Sequence, residues 1–170
     1  MFEYKRILQL NTASMEDTIH LFFTSPMTLE HLHGKGNYEL TTPTWENNRL
    51  KIRYIYPIHR IPSSLHFFIQ HKDIHGKFKA KRIPQEDGSI LIKAKIIPNV
   101  LGECFIKIKS SYLFTKIEKG YQMDFKCIIK IYLPDPFNRI CHDFLDKTIH
   151  EQFSYVLRAL DEQNIGVTLL

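Results

Sequence analysis

The chain has 170 residues, 44% of them hydrophobic and 24% charged, with seven Gly and eight Pro. These proportions suit one folded domain and exclude collagen-like and disordered chains. The formal charge is +5 and the pI is near 9.1, and a chain of this length hides about 70% of its unfolded surface, so disulfides and metals are not needed for stability. No run of about 18 apolar residues exists, and the opening MFEYKRILQL places charges where a secretory signal carries its apolar stretch. Three cysteines, Cys104, Cys127 and Cys141, are an odd number in apolar company. They predict reduced thiols packed as small hydrophobes and a cytoplasmic location.

Residues 2–10, FEYKRILQL, carry Tyr4, Ile7, Leu8 and Leu10 among polar residues and predict a first strand. A helix follows: Ser14 with Asp17 three residues on is a capping pattern, and Met15, Ile19, Phe22 and Phe23 fall at helical spacing. Pro26 ends it and suits the first turn of a second short helix reaching His33, closed by Gly34.

From Gly36 to Pro134 the period becomes two, interrupted by turn residues at Thr42-Pro43, Asn47-Asn48, Pro57, Pro62, Asp73 to Gly76, Asp87-Gly88, Pro98 to Gly102 and Lys119-Gly120. Six or seven strands are implied there. Around Lys119-Gly120, Cys104, Ile106 and Ile108 alternate with Lys107 and Lys109, then Met123, Phe125, Cys127, Ile129 and Ile131 alternate with Asp124, Lys126 and Lys130. This predicts an antiparallel hairpin with one wet face. Leu50, Ile52 and Tyr54, and Ile90, Ile92, Ala94 and Ile96, repeat the pattern against Lys and Arg.

After Leu133, Asp135 and Pro136 predict a helix start. From Phe137 to Leu160 the apolar residues keep three-four spacing for about 24 residues, roughly 36 Å of rod. Residues 163–170 show no clear period and are read as a loose tail or a short appended piece, leaving residues 1–162 as a single domain.

The outward Lys residues keep such a sheet soluble and discourage edge pairing. The same basic face is where peripheral contact with an anionic membrane would form. Nucleic acid is the less favoured partner, because the face offers little of the aromatic interleaving that single-strand binders use for stacking.

No G-x-S-x-G, P-loop, G-x-G-x-x-G, H-E-x-x-H or CxxC occurs, so neither a cofactor nor a metal is expected. The nine histidines do not form ligand sets: His31 and His33 point about 200° apart on a helix, while His66 and His71 fall on opposite sides of a strand. Cys141 and His142 diverge by about 100° on a helix, which argues against a nucleophile pair.

A strand, two short helices, a run of antiparallel strands and a long C-terminal amphipathic helix is an order of elements that resembles the START-like superfamily. That superfamily includes lipid-transfer START domains, birch-pollen allergen relatives and polyketide cyclases or dehydratases. Ser14 to Gly34 and Asp135 to Leu160 carry the likeness, and Arg53 to Pro57 with Pro62 to Gln70 is similar to paired strands of the sterol-handling branches. The resemblance implies a helix-grip α+β fold, with six to eight antiparallel strands curled round the long helix and an apolar cavity between them.

Strand parity and helical period then propose the ligand contacts: Tyr54, Tyr56, Phe67, Ser110, Tyr112, Phe114, Met123, Phe125, Cys141, Phe144, Leu145 and Thr148. In the resembling proteins the mouth lies toward one end of the helix, which favours Phe137 to Thr148 over Phe153 to Leu160. The expected function is binding of a hydrophobic small molecule or lipid without catalysis, as carrier or sensor. Two alternatives stay open. A cyclase or dehydratase would use Tyr54, Tyr112, His71 or Arg49 for acid-base work, and an interaction module would have a filled core.

Overall fold

Ser14 opens the first helix as its spacing to Asp17 predicts: its backbone is extended and its hydroxyl accepts from the Asp17 amide at 3.3 Å. One of the orphan N–H groups of the first turn is thereby satisfied. The computed structural model describes residues 1–11, 14–33, 38–40, 44–69, 73–98, 105–162 and 165–170. It places α1 at Met15–Phe23 and α2 at Pro26–His33. The buried Thr28 hydroxyl donates to the Leu21 carbonyl at 2.7 Å and ties α2 back onto α1.

Eight strands form one sheet: β1 (Phe2–Asn11), β2 (Tyr38–Leu40), β3 (Arg49–Pro57), β4 (Asp73–Pro84), β5 (Ile90–Pro98), β6 (Ile106–Ile117), β7 (Gly120–Ile131) and β8 (Gly166–Leu169). Their order is β2-β3-β4-β5-β6-β7-β1-β8, and every neighbouring pair is antiparallel. The β6–β7 hairpin has the predicted register, with Ser110 opposite Cys127, Tyr112 opposite Phe125 and Phe114 opposite Met123. The long helix α3 (Phe137–Glu162) packs against the concave face of the curled sheet. Its 26 residues give about 39 Å of rod.

Four segments depart from the sequence reading. Asp73 to Gly76, expected as a turn, opens β4, because Gly76 sits opposite Tyr54 and leaves room for its ring. The described part of Pro62 to Gln70, residues 62–69, is not a strand: Ile58–Arg60 and Ser63–Phe68 are 3-10 turns, with the His66 ring nitrogen 2.9 Å from the Ile61 carbonyl, and Gln70 lies outside the described residues. The helix α3 begins at Phe137, past Pro136, and the Asn138 amide donates to the Ile131 and Leu133 carbonyls at 3.2 and 3.3 Å. Residues 166–169, read as part of a tail, pair with β1 as β8, Leu169 opposite Leu8. Thr42-Pro43, Gly34, His71, residues 99–102 and Cys104 lie outside the described residues.

Two polar ties fix the helices. The Tyr4 phenol donates to the Asp146 carboxylate, linking β1 to α3. At the other end Arg82 grips Glu16 with both guanidinium nitrogens, one at 2.8 Å, linking β4 to α1. The guanidinium holds the Glu16 carboxyl below the usual range. A depressed folded-state value contributes stability above the unfolded pKa, about 4.3, and loses it as pH falls through the folded value. The Arg82 side chain is only 14% exposed while that of Glu16 is 65% exposed, so solvent screening leaves the carboxylate a small Coulombic gain. Stranding the half-buried guanidinium is the larger cost. Glu16→Gln is therefore expected to destabilise by about 1 kcal/mol at pH 7, with the deficit shrinking below about pH 4. Urea melts at pH 7 and pH 3 check this, and a deficit of equal size at both would contradict it.

Candidate functional site

Between the concave face and α3 lies an apolar pocket of about 250 Å³. Alternation in the strands aims its wall inward: Tyr54 and Tyr56 from β3, Phe78 from β4, Ile108, Ser110 and Tyr112 from β6, and Phe125 and Cys127 from β7. The opposite wall is one stripe of α3, from Phe144 and Leu145 through Thr148, Ile149 and Gln152 to Phe153 and Val156, at three-four spacing. Phe22 of α1, Ile61 and further aliphatic residues of β4 to β7 complete it.

Rings brace this wall. Phe23 meets Tyr112 edge-on at 4.9 Å, Tyr112 lies 4.9 Å from Phe125, and Phe125 lies 4.6 Å from Phe153. The chain of aromatic contacts therefore runs from α1 through the sheet to α3. Tyr54 owes its position to a missing side chain: a Cβ on Gly76 would stand 2.2 Å from its ring. The phenol ring lies across β4 because nothing projects from that residue.

The ionisable groups of the lining are held neutral. Burial pushes the Tyr112 phenol up to about 12 against the opposing effect of the Ser110 hydroxyl. It also raises Tyr54, and it raises Tyr56 against the pull of Arg60 and Thr148. The Cys127 thiol, likewise buried, is pushed up to about 11. At neutral pH the pocket presents phenol, hydroxyl, thiol and amide groups, and among the described residues no Lys, Arg, His, Asp or Glu lines it. It can donate hydrogen bonds to a neutral polar atom. It has neither a thiolate nucleophile nor a charge partner for an ionised group.

Tyr56, Ile61, Phe144, Thr148 and Gln152 also border a surface depression rimmed by His59, Arg60, Asp143, Lys147 and Glu151. These shared residues mark the mouth, on the α3 side of the sheet. Charged groups of the described residues stand outside it.

Of the residues proposed from sequence, Tyr54, Tyr56, Ser110, Tyr112, Phe125, Phe144, Leu145 and Thr148 line the pocket. Phe67 does not: it sits in a 3-10 turn, 88% exposed, where strand parity has no meaning. Phe114 and Met123 face inward but are packed solid at the α1 end of the hairpin, with Phe114 against Phe22. Cys141 is buried one turn before the pocket begins. Phe153 and Val156, from the half of α3 given less weight, do line it, as do Phe22, Phe78, Ile149 and Gln152. Their helical and strand periods marked them as inward; position along the element did not follow from period. Arg49 is exposed on the outer face. Among the described residues no three His, Cys, Asp or Glu side chains gather as a metal site, and no helix is long and apolar enough to cross a membrane.

The sequence matches no protein-family model and no curated protein. Solved structures share its architecture. A protein from Thermus thermophilus, TTHA0849, superposes at a TM-score of 0.55 and 12% identity over 95% of each chain. A STAR-related lipid transfer protein from Xanthomonas axonopodis superposes at 0.53 and 11% identity, over 91% of this chain and 85% of that one. The chain shares the helix-grip fold of these structures, a curled antiparallel sheet around a long C-terminal helix.

Proposed function

We propose that this protein binds a neutral hydrophobic small molecule, or a single lipid chain, between the sheet and α3. The carrying observation is the uncharged lining: about 250 Å³ enclosed by aromatic and aliphatic side chains with phenols and hydroxyls as the polar groups. An ionised group placed there would lose its hydration with no partner to replace it, so the buried part of the ligand is neutral. The volume lies just under the ~300–1,000 Å³ common for drug-sized ligands, which suits one short chain or small ring system. The lipid-transfer neighbour supports this class of ligand. A cyclase or dehydratase reading is weaker, because among the described residues no charged or imidazole side chain lines the pocket to act as a base and Arg49 faces away; retained binding with lost turnover in Tyr112→Phe would restore it.

Native mass spectrometry of the protein purified from cells, followed by organic extraction, tests the proposal. A co-purifying neutral apolar compound is expected. Its absence, together with no thermal shift from a panel of sterols, fatty acids and phospholipids, would favour a plain packed core. Ser110→Trp supplies the matching variant. It is expected to abolish binding at little cost in stability, because the new ring enters existing space, whereas overpacking a filled core costs about 1–3 kcal/mol. A drop of many degrees with binding unchanged would refute the pocket.

A further inference from the structure

The outer face of the sheet carries an arrangement that solubility does not explain. Strand register sets Lys51, Lys79, Lys95 and Lys109 side by side across β3–β6. Two residues along each strand, Arg49, Lys81 and Lys93 form a second row that continues through Ser111 to Lys126. Directly opposed like charges destabilise a sheet. Lys51–Lys79, Lys79–Lys95, Lys95–Lys109, Arg49–Lys81 and Lys81–Lys93 are all such pairs. Lysines that discourage aggregation belong on edge strands, yet β3 to β7 are all interior.

The two rows are the walls of a groove of about 700 Å³ whose floor is the row Leu50, Ala80, Ala94 and Ser110, residues whose side chains are turned to the core. The rows stand about 7 Å apart along the strands, and crossing from β3 to β7 covers about 19 Å. Among the described residues the acids near this face stand at its ends, Glu46 beside Arg49 and Lys51 at the β3 end and Asp124 two residues from Lys126 on β7. Glu3 is paired with Lys5 and Lys126 at 2.8 and 2.9 Å, and Glu39 lies 3.8 Å from Arg53.

We propose that this groove is a track for the phosphodiester backbone of a single-stranded nucleic acid, bound without sequence preference. A narrow channel between two lines of cations complements a linear chain of negative charge, and its length matches about three phosphates of an extended single strand, whose phosphates lie roughly 6 Å apart. The groove's lining includes no aromatic ring, the half-exposed Tyr132 lying outside it beneath Lys107; this argues against base stacking in the groove, not against phosphate contact, and leaves the electrostatic part of binding. A planar anionic membrane would reach only the groove's rims. It would also meet the face turned away from the pocket mouth on the α3 side.

The test is fluorescence anisotropy with 20-nucleotide oligo-dT and oligo-dA at 50 and 200 mM salt. Release of counterions from about three phosphates gives a log–log slope near −2, a loss of about twentyfold across that range, with the two oligonucleotides within about threefold of each other. Lys79→Glu/Lys93→Glu, one change in each wall, is expected to weaken binding at least tenfold. Lys119→Glu, in the β6–β7 turn, is expected to stay within about twofold. Because the reversals relieve opposed charges, the double variant's melting temperature is expected not to fall, and circular dichroism confirms that it is folded. The proposal is overturned by no binding at 50 mM salt, by equal loss in Lys119→Glu, by a duplex bound more tightly than a single strand, or by binding to phosphatidylserine vesicles without oligonucleotide binding.

Discussion

Replacing Phe114 by Ala is expected to cost about 3–5 kcal/mol, the range for truncating a buried aromatic where the surroundings cannot collapse. Phe114 is 0% exposed, stands between Ile90 on β5 and Met123 on β7, and meets Phe22 of α1 at 6.2 Å. Three elements of fixed register therefore surround the void, and none can shift without breaking sheet pairing. For a chain of this size the loss corresponds to a fall of about 6–20 °C in Tm. Phe67→Ala is the internal comparison, since that ring is 88% exposed and its removal is expected to change stability by no more than about 0.5 kcal/mol. Thermal and urea melts of the two variants check both halves. Similar losses would mean that the 3-10 turn packs its phenylalanine against something, or that the hairpin end is not the solid core described.

The same pair of residues shows what the sequence made legible. Alternation in β3, β5, β6 and β7 separates Lys from Ile, Phe and Cys so cleanly that the inward face, the hairpin register and the one-sided sheet follow from it. The cap at Ser14 and the three-four spacing of α3 are equally readable. Parity, however, reports a face and not a depth. Phe114, Met123, Tyr112 and Phe125 all point inward, and only their distance along the hairpin decides that the first two are packed under α1 while the last two border the pocket. Phe67 failed for another reason: parity was applied where two prolines, Pro57 and Pro62, had already ended the extended backbone. Gly76 read as a turn because its role, admitting the Tyr54 ring, depends on a partner twenty-two positions away. Residues 163–170 read as a loose tail or a short appended piece because the four residues of β8 carry too little period to announce a strand.

The outer face was legible in composition but not in arrangement. One basic residue in two is visible in the chain, and it suggests a solvated surface. That the lysines line up row against row across interior strands depends on register, which joins residues up to dozens of positions apart. Each strand thus serves two faces through its alternation: apolar residues set the pocket on the concave side, and the intervening cations set the groove on the convex side. A change of register by one residue would exchange the two faces and destroy both.

Gly120→Ala is expected to cost about 3 kcal/mol or more, by two effects that add at one position. Gly120 follows the two-residue Glu118-Lys119 turn, pairs with Ile117 and has φ +97°. An L residue there pays about 1–2 kcal/mol in backbone strain. The second effect is steric, because the added Cβ would stand 2.1 Å from the Leu10 carbonyl oxygen and 3.1 Å from the Asn11 Cα. Backbone atoms cannot rotate aside as a side chain can, so β1 itself must move. Leu10 and Asn11 also pair with Val167 and Gly166 of β8, so the displacement reaches the last strand of the sheet. Gly88→Ala separates the two effects: its φ is +81° but nothing lies within 4 Å of the new Cβ, so only the backbone cost of about 1–2 kcal/mol is expected. Equilibrium unfolding of both variants, with amide exchange at residues 8–11 and 166–169, measures the difference. Equal destabilisation of the two, or unchanged exchange in β1 and β8 of Gly120→Ala, would show that the turn does not press against β1.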